Sequence, residues 1–311
     1  MTRLPPPLGR AGVDRAAQLR GDDEWLARAW DNTASRVIVV DGGRALVDAH
    51  DALVRLPTHA APDGERYFLG VPDVAAASSR VGLFAVAAQL PPDPADAARP
   101  ATLREVGALL SDADAGLLAH AAALEQWHAR HRRCPLCGAA TVVAMGGHLR
   151  RCVDDGSEHH PRTDPAVIML ITDDDDRCLL GRHPTWPQGR MSTLAGYVEA
   201  GETLEHAVVR EVAEEVGIVV DDVTYVASQP WPFPSSLMVA FTAHASATDV
   251  DVDGVEISEA RWFSREELRA AISDGSLRFP MRASVAFYLI DGWFGGGPGD
   301  VVAETAFTSR T

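Results

Sequence analysis

Residues 196–218 read GYVEAGETLEHAVVREVAEEVGI, and this stretch constrains the chain more than any other. From Thr203 to Val216 the apolar residues Leu204, Ala207, Val208, Val212 and Val216 recur on a helical period. A helix with one apolar stripe must bury it against something, so this segment requires a core beside it. Gly217 stands where a left-handed C-cap would end the helix. Glu211, Glu214 and Glu215 are three and four apart and project from one side. Exposed like charges so placed repel by a few tenths of a kcal/mol per pair, roughly. A hard divalent cation such as Mg²⁺ or Mn²⁺ removes that repulsion, because it takes carboxylate oxygens and bridges to phosphate. Three such glutamates alone would read as a solvated acidic face. Gly196, Glu202, Arg210 and Gly217 at fixed intervals around them argue for a site instead.

The intervals are G, five residues, E, seven residues, then R-E-apolar-x-E-E-x-G-apolar. In this the segment resembles the Nudix box. The resemblance implies a hydrolase that splits a diphosphate linked to some further group, using divalent metal ions.

The 311 residues suffice for two domains and a small insert, and 46% hydrophobic with 23% charged residues is ordinary for a globular protein. A net charge of −16 argues against broad nucleic-acid binding by phosphate neutralisation. It does not exclude a nucleotide, whose charge metal ions can offset. No apolar run reaches membrane-spanning length, and MTRLPPPLGRAGVDRAAQLRGDDEW lacks the apolar core of a signal peptide. The expectation is a cytoplasmic protein with no membrane contact. Four cysteines, two of them in a C-x-x-C pair, then suggest metal more than disulfide.

Residues 1–130 predict a small α+β domain, with strands at 36–40, 45–47, 67–69 and 83–86. Gly42-Gly43 predicts a hairpin between the first two, 91–100 a loop, and 112–131 a helix carrying Leu117, Leu118, Ala121, Leu124 and Trp127 in register. Residues 131–164 predict a zinc-ribbon-like unit. Cys134-Pro-Leu-Cys137-Gly is a knuckle, and Cys152 follows in CVDDGSEHH, where a second C-x-x-C is wanted but its second cysteine is absent. Asp154, Asp155, His159 and His160 are the candidates for a fourth Zn²⁺ ligand; a ribbon that has lost its metal is the other reading. Cys178 lies in an apolar strand pattern and reads as core, and Asp173–Asp176 reads as a solvated turn. Residues 165–311 predict a mixed sheet with helices. Strands fall at 166–172, 177–182, 223–228, 236–243 and 260–263, and helices at 265–273 and 283–292, the first opened by a Ser264–Glu267 capping box. The fold class is α/β, an α/β/α sandwich behind the ribbon and the N-terminal domain.

Ten residues after the box comes Ser228-Gln-Pro-Trp-Pro-Phe-Pro-Ser-Ser236. It resembles the SQPWPFP signature of the NADH pyrophosphatase family, whose characterised bacterial members also remove NAD caps from RNA. The ribbon-like segment and HHPRTDPAVIML at 159–170 agree, and the resemblance covers about residues 100–290. Independently, three alternating prolines predict an extended rail presenting Trp231 and Phe233 for stacking on a planar ring.

The resemblance implies these roles. The Ala195 carbonyl, Glu211, Glu215 and Glu256 take Mg²⁺ or Mn²⁺, with Glu214 as ligand or water-orienting base. Gln229, Pro230, Trp231, Pro232, Phe233, Pro234, Ser235 and Ser236 line the substrate site. Tyr197 stacks on nicotinamide, and Arg104 and the Ala286 backbone contact substrate. Arg210 anchors the helix by pairing with a glutamate. Cys134, Cys137 and Cys152 hold Zn²⁺. The family also implies a homodimer. His160 departs from it, standing where an aromatic residue is usual. The implied reaction converts NADH or NAD to NMN(H) and AMP and extends to NAD-capped RNA. Alternatives are a Nudix hydrolase of another nucleotide diphosphate, such as ADP-ribose, and a catalytically dead nucleotide- or RNA-binding module.

Overall fold

The computed structural model describes residues 4–10, 12–72, 78–92 and 98–295. Contacts along the chain divide it into two compact units. One holds Pro7–Thr163 with Pro230–Ser235; the other holds Asp164–Gln229, the described residues from Ser236 onward and those up to Pro6.

The first α-helix of the first unit is α1 (Asp23–Asp31), whose first turn is capped by the Asp22 carboxylate accepting from the Trp25 amide at 2.9 Å. Its main sheet uses β1 (Arg36–Val40), β3 (Leu56–Pro57), β4 (Glu65–Gly70) and β5 (Leu83–Ala87) in the order β3-β1-β5-β4. β1 and β5 run parallel at its centre. Both faces of these two strands are covered, which is why RVIVV and LFAVA are continuous apolar runs without alternation.

The Gly42-Gly43 turn forms, with both glycines at positive φ (59° and 77°) and Asp41 bridged to Arg44. The expected hairpin does not propagate. β5 occupies the edge of β1, and β2 (Arg44–Val47) pairs instead with β6 (Arg99–Thr102). β6 takes the end of the stretch expected to be loop, while 93–97 lie outside the described residues. Pro100 concealed it: proline is tolerated in such a strand because a two-stranded sheet is all edge. A short helix α2 (Leu103–Val106) leads to α3 (Asp112–Arg130), capped by Ser111 and burying Leu117, Leu118, Ala121, Leu124 and Trp127 as its period requires. The ribbon is a three-stranded antiparallel sheet of β7 (Thr141–Ala144), β8 (Leu149–Cys152) and β9 (Glu158–His159).

The second unit is built on β10 (Asp164–Asp173) and β11 (Cys178–Arg182), with β12 (Leu194–Tyr197), α4 (Leu204–Val216), β13 (Asp221–Trp231), β14 (Ser236–Ala245), β15 (Glu259–Phe263), α5 (Arg265–Ser273) and α6 (Val285–Phe294). The sheet order is β13-β14-β10-β11-β15, with β12 also paired to β10. β10 and β14 are parallel over ten residue pairs, while β10–β11 and β10–β12 are antiparallel, so the sheet is mixed. Alternation along β10 sorts its side chains into two cores. Val167, Met169 and Ile171 meet Val208, Val212 and Val216 of α4. Ile168 and Leu170 meet Leu268 and Ile272 of α5 and Leu289 and Ile290 of α6. Helices on both faces make the predicted α/β/α sandwich. Ser264 and Glu267 form the expected capping box, and α6 starts at Val285 on the Ser284 cap. Among the described residues no helix is long and apolar enough to cross a membrane.

Leu170 is 1% exposed at the centre of the second core. Leu170→Ala should lower unfolding free energy by about 2–5 kcal/mol, from lost burial plus the cavity left behind. Urea titration checks it; a loss under about 1 kcal/mol would mean that this core collapses around the gap.

Candidate active site

The box folds as strand, loop and helix. β12 hydrogen-bonds to β10, Thr203 caps α4 by accepting from the His206 amide, and Gly217 ends it at φ 71°. The three glutamates do not share the exposed face expected of them. The Glu214 side chain is 62% exposed, but Glu211 and Glu215 are buried, at 7% and 4%. Gly196 is the physical reason for Glu211. A Cβ there would lie 1.9 Å from the Glu211 carboxyl carbon, so the carboxylate rests directly on bare β12 backbone.

Arg210 holds the box together. Its Nε and Nη2 donate to both oxygens of Glu202 at 2.8 and 2.9 Å. Nη2 also donates to the Tyr197 carbonyl at 3.0 Å, and Nη1 to Glu211 and Glu214, each at 2.9 Å. The expected pairing with a glutamate is thus a network of three. The guanidinium draws the Glu202 carboxyl down to about 2.

Glu215 is in the opposite condition. Burial, then the charges of Glu211, Glu256, Asp253 and Glu214, push its carboxyl up to about 8. Burial also raises Glu211, against the pull of Arg210. Glu215 Oε2 is buried with no hydrogen-bond partner. An orphaned carboxylate oxygen among other carboxylates is what a hard divalent cation satisfies, so the donor set fits Mg²⁺ or Mn²⁺.

Ala195, Tyr197, Glu211, Glu214, Ser236 and Glu256 line one open cavity of about 530 Å³. The Tyr197 hydroxyl lies 3.1 Å from Ser236 Oγ. Ala166, Glu199 and Met238 line it too and were not foreseen. Asp253 was also missed. Its carboxylate accepts from the amides of Glu256 (2.9 Å) and Ile257 (2.9 Å), folding the loop that carries Glu256. The available signal was an Asp-Gly turn three residues before that glutamate.

The other expected substrate residues are placed elsewhere. Gln229 is fully buried, with neither side-chain amide atom partnered. The proline run is a turn over Pro232–Ser235 and not an extended rail, because β13 and β14 are neighbours and the chain must reverse between them. Pro230 precedes this turn at the end of β13, and the Phe233–Pro234 peptide is cis. Trp231 and Phe233 meet edge to face at 5.0 Å. The Arg104 guanidinium lies 4.2 Å over Phe233 and 5.2 Å from the Trp231 ring, and Gln126 donates to the Pro232 carbonyl at 2.7 Å. Ala286 is buried in α6 within the second core and does not line the cavity.

In the ribbon, Cys134, Cys137, Cys152 and Asp155 each bring a ligand atom within 4.8 Å of the others. Of the other fourth-ligand candidates, Asp154 gives only its amide to Cys152 Sγ, His159 is bonded to Ser157, and neither it nor His160 joins the cluster. Cys178 is buried in the sandwich core, as expected; of the four acids expected as a solvated turn, Asp174 and Asp175 form the turn, while Asp173 ends β10, is buried and is paired with Arg177 at 2.7 Å.

Comparison with known proteins places three family descriptions along the chain. The NADH pyrophosphatase-like rudimentary NUDIX domain matches residues 34–127, the NADH pyrophosphatase zinc ribbon domain 129–159, and the NUDIX domain 162–282. The chain is 40% identical over 309 residues to the NAD-capped RNA hydrolase NudC of Mycobacterium bovis, covering 94% of this chain and 95% of that one. It is 42% identical over 196 residues to the human NAD-capped RNA hydrolase NUDT12, covering 59% of this chain and 42% of the human protein. Among solved structures, a NUDIX hydrolase from Nitrosomonas europaea matches 53% of this chain and 93% of its own at 22% identity, with a TM-score of 0.42.

Gly196→Ala should displace the Glu211 carboxylate, since the added methyl would sit inside it. Turnover should fall about a hundredfold or more while the melting temperature changes little. Steady-state kinetics beside a thermal melt tests this; unimpaired turnover would mean that Glu211 need not rest on β12.

Proposed function

The chain belongs to the NADH pyrophosphatase and NAD-capped RNA hydrolase family of Nudix hydrolases, and from that premise we propose that it hydrolyses the diphosphate of NADH and NAD, and of NAD caps on RNA. The observation that carries the reading is the buried Glu215 with its unpartnered Oε2 among Glu211, Glu214 and Glu256. Water adds to one phosphorus, the bridging P–O–P bond breaks, and NADH yields reduced NMN and AMP.

Glu211, Glu215, Glu256 and the Ala195 carbonyl hold Mg²⁺ or Mn²⁺. The cation, when bound, neutralises diphosphate charge and acidifies water in the cavity. Glu214, exposed at the cavity wall, orients the attacking water and accepts its proton. Arg210 keeps Glu211 and Glu214 in place and is itself committed to the box. Arg104 and the segment Gln229–Ser236 serve substrate binding, supported by the edge-to-face aromatic pair under Arg104 and by the family's signature. Tyr197 contacts the nicotinamide ring and the Ala286 backbone the substrate, on the resemblance alone. Cys134, Cys137 and Cys152 hold a structural Zn²⁺. Residues 1–130, 131–164 and 165–311 are taken as the N-terminal domain, ribbon and catalytic domain. Homodimeric assembly belongs to the same reading, as does a cytoplasmic location, where free cysteines stay reduced.

The decisive experiment measures kcat/KM on NADH, NAD, ADP-ribose and NAD-capped RNA with one preparation in saturating Mg²⁺ or Mn²⁺. The nicotinamide-bearing substrates should lead, and Glu215→Gln should lower kcat about a hundredfold or more. Faster turnover of ADP-ribose would transfer the assignment to a different nucleotide diphosphate. Activity of the variant within a few-fold of wild type, roughly, would remove Glu215 from the metal site.

The raised Glu215 carboxyl also makes stability depend on pH. An unfolded glutamate titrates near ~4.3 and the folded one at about 8, so the folded state holds the extra proton between them. In metal-free protein this group's contribution to stability is full below the lower value and declines as pH rises toward the higher. Melting temperatures at pH 5.5, 7 and 8.5, roughly, should show a fall that Glu215→Gln reduces and that Mg²⁺ or Mn²⁺ reverses. Identical pH profiles for the two metal-free proteins would refute the shift.

A further inference from the structure

On the proposed reading that the ribbon holds zinc, we infer that Asp155 is the fourth ligand, through Oδ2, in a Cys₃Asp site that Ser157 and His159 orient. The chain lacks the cysteine that a second C-x-x-C would supply.

The two halves of the site repeat one another. Cys134-Pro-Leu-Cys137-Gly138 and Cys152-Val-Asp-Asp155-Gly156 have the same spacing and end on the same residue. Both glycines are left-handed, at φ 77° and 72°. In the first loop the Leu136 amide lies 3.4 Å from Cys134 Sγ, and in the second the Asp154 amide lies 3.5 Å from Cys152 Sγ. The Cys134 amide bonds to the carbonyl five residues on, Ala139, at 2.8 Å; the Cys152 amide does the same to Ser157 at 2.9 Å. The backbone therefore forms two equivalent knuckles, and Asp155 occupies in the second the place of Cys137 in the first.

The distances agree. Ligands about 2.3 Å from a tetrahedral zinc stand about 3.8 Å apart, a little less where one is oxygen. Cys137 Sγ and Cys152 Sγ are 3.4 Å apart and Cys134 Sγ and Asp155 Oδ2 are 3.6 Å apart, two opposite edges near that length, and all four atoms lie within 4.8 Å of one another. The other carboxylate oxygen is already committed. Asp155 Oδ1 accepts from the Ser157 amide at 2.8 Å and from its hydroxyl at 2.5 Å, and His159 Nε2 lies 3.1 Å from that hydroxyl. One oxygen is held from behind while the other faces the sulfurs, the usual arrangement for an outer residue orienting a ligand.

A carboxylate is a harder donor than a thiolate, so this site holds zinc less tightly than four cysteines would. Cys137 and Asp155 are exposed while Cys134 and Cys152 are buried, so one side of the site is open to exchange.

The test uses the full chain purified without chelators, with Asp155→Ala and Asp155→Cys beside it. Elemental analysis should find about one zinc per wild-type chain. Zinc transfer to a chromophoric chelator should become easier by about ten- to a hundredfold in Asp155→Ala and harder by a similar factor in Asp155→Cys. In the cobalt-substituted proteins the thiolate charge-transfer band should grow by about a third from wild type to Asp155→Cys, as three sulfurs become four. Wild-type protein without zinc overturns the ribbon reading itself. Zinc present but held equally well by Asp155→Ala overturns the Asp155 assignment alone. Should Asp155→Ala fail to fold, a cobalt band unchanged in Asp155→Cys has the same consequence.

Discussion

The catalytic half of this protein depends on how a single guanidinium divides its donors. Arg210 bonds to Glu202 in the loop, to the Tyr197 carbonyl on β12, and to Glu211 and Glu214 on its own helix. A planar fork can serve strand, loop and helix together, which an ammonium on a flexible stem cannot do with the same geometry. It also makes the electrostatics asymmetric. Glu202 is compensated and Glu211 is partly so against its burial, whereas Glu215 receives only burial and repulsion. The unmet bonding capacity of the site is thereby concentrated at one buried carboxyl oxygen, where a cation gains most.

Such a site opposes folding, so its surroundings must hold it. Gly196 lets β12 approach Glu211 with no side chain between them, and β12 is itself anchored on β10. β10 is clamped between two apolar cores, Val167, Met169 and Ile171 on one face and Ile168 and Leu170 on the other. The backbone at Ala195 and Gly196 is therefore positioned by an inner strand of the sheet and not by a free loop. On the third side, Asp253 closes the turn before Glu256 with two amide bonds. Tight packing under the site is what permits strained electrostatics within it.

How much of this could be read from the sequence follows from the range of each interaction. The box helix with its Gly217 cap, the Ser264–Glu267 capping box and the strand of β10 are local, and the pattern states them directly. The pairing of β2 with β6 joins residues far apart in sequence, and the local Gly42-Gly43 turn pointed to the wrong partner. The ribbon strands TVVA and LRRC are too short to show a period. For the site, Ala195, Tyr197, Glu211, Glu214, Ser236 and Glu256, named from the resemblance, lie around one cavity. The burial of Glu211 and Glu215 was not anticipated, because it depends on how closely a strand approaches the helix. The proline run misled for a related reason: its intrinsic preference is extended, but adjacency of β13 and β14 demands a reversal.

On the proposed reading the chain carries two metal sites whose donor sets differ in kind. The box offers only oxygens, which suit Mg²⁺ and Mn²⁺; the ribbon offers three sulfurs and one oxygen, which suit zinc. Zinc nonetheless outcompetes Mn²⁺ for most donor sets at equal concentration, so oxygen ligands alone do not keep it out of the box. What separates the sites is geometry and supply. The ribbon presents four ligand atoms within 4.8 Å, suited to a closed tetrahedron. The box spreads its donors around an open cavity of about 530 Å³, leaving space for waters and a diphosphate, as an ion that dehydrates reluctantly requires. Replacing one ribbon sulfur by Asp155 narrows the difference between the two sites without removing it. The ribbon therefore stays selective through its three thiolates, and its second knuckle keeps the backbone of a cysteine loop around a carboxylate.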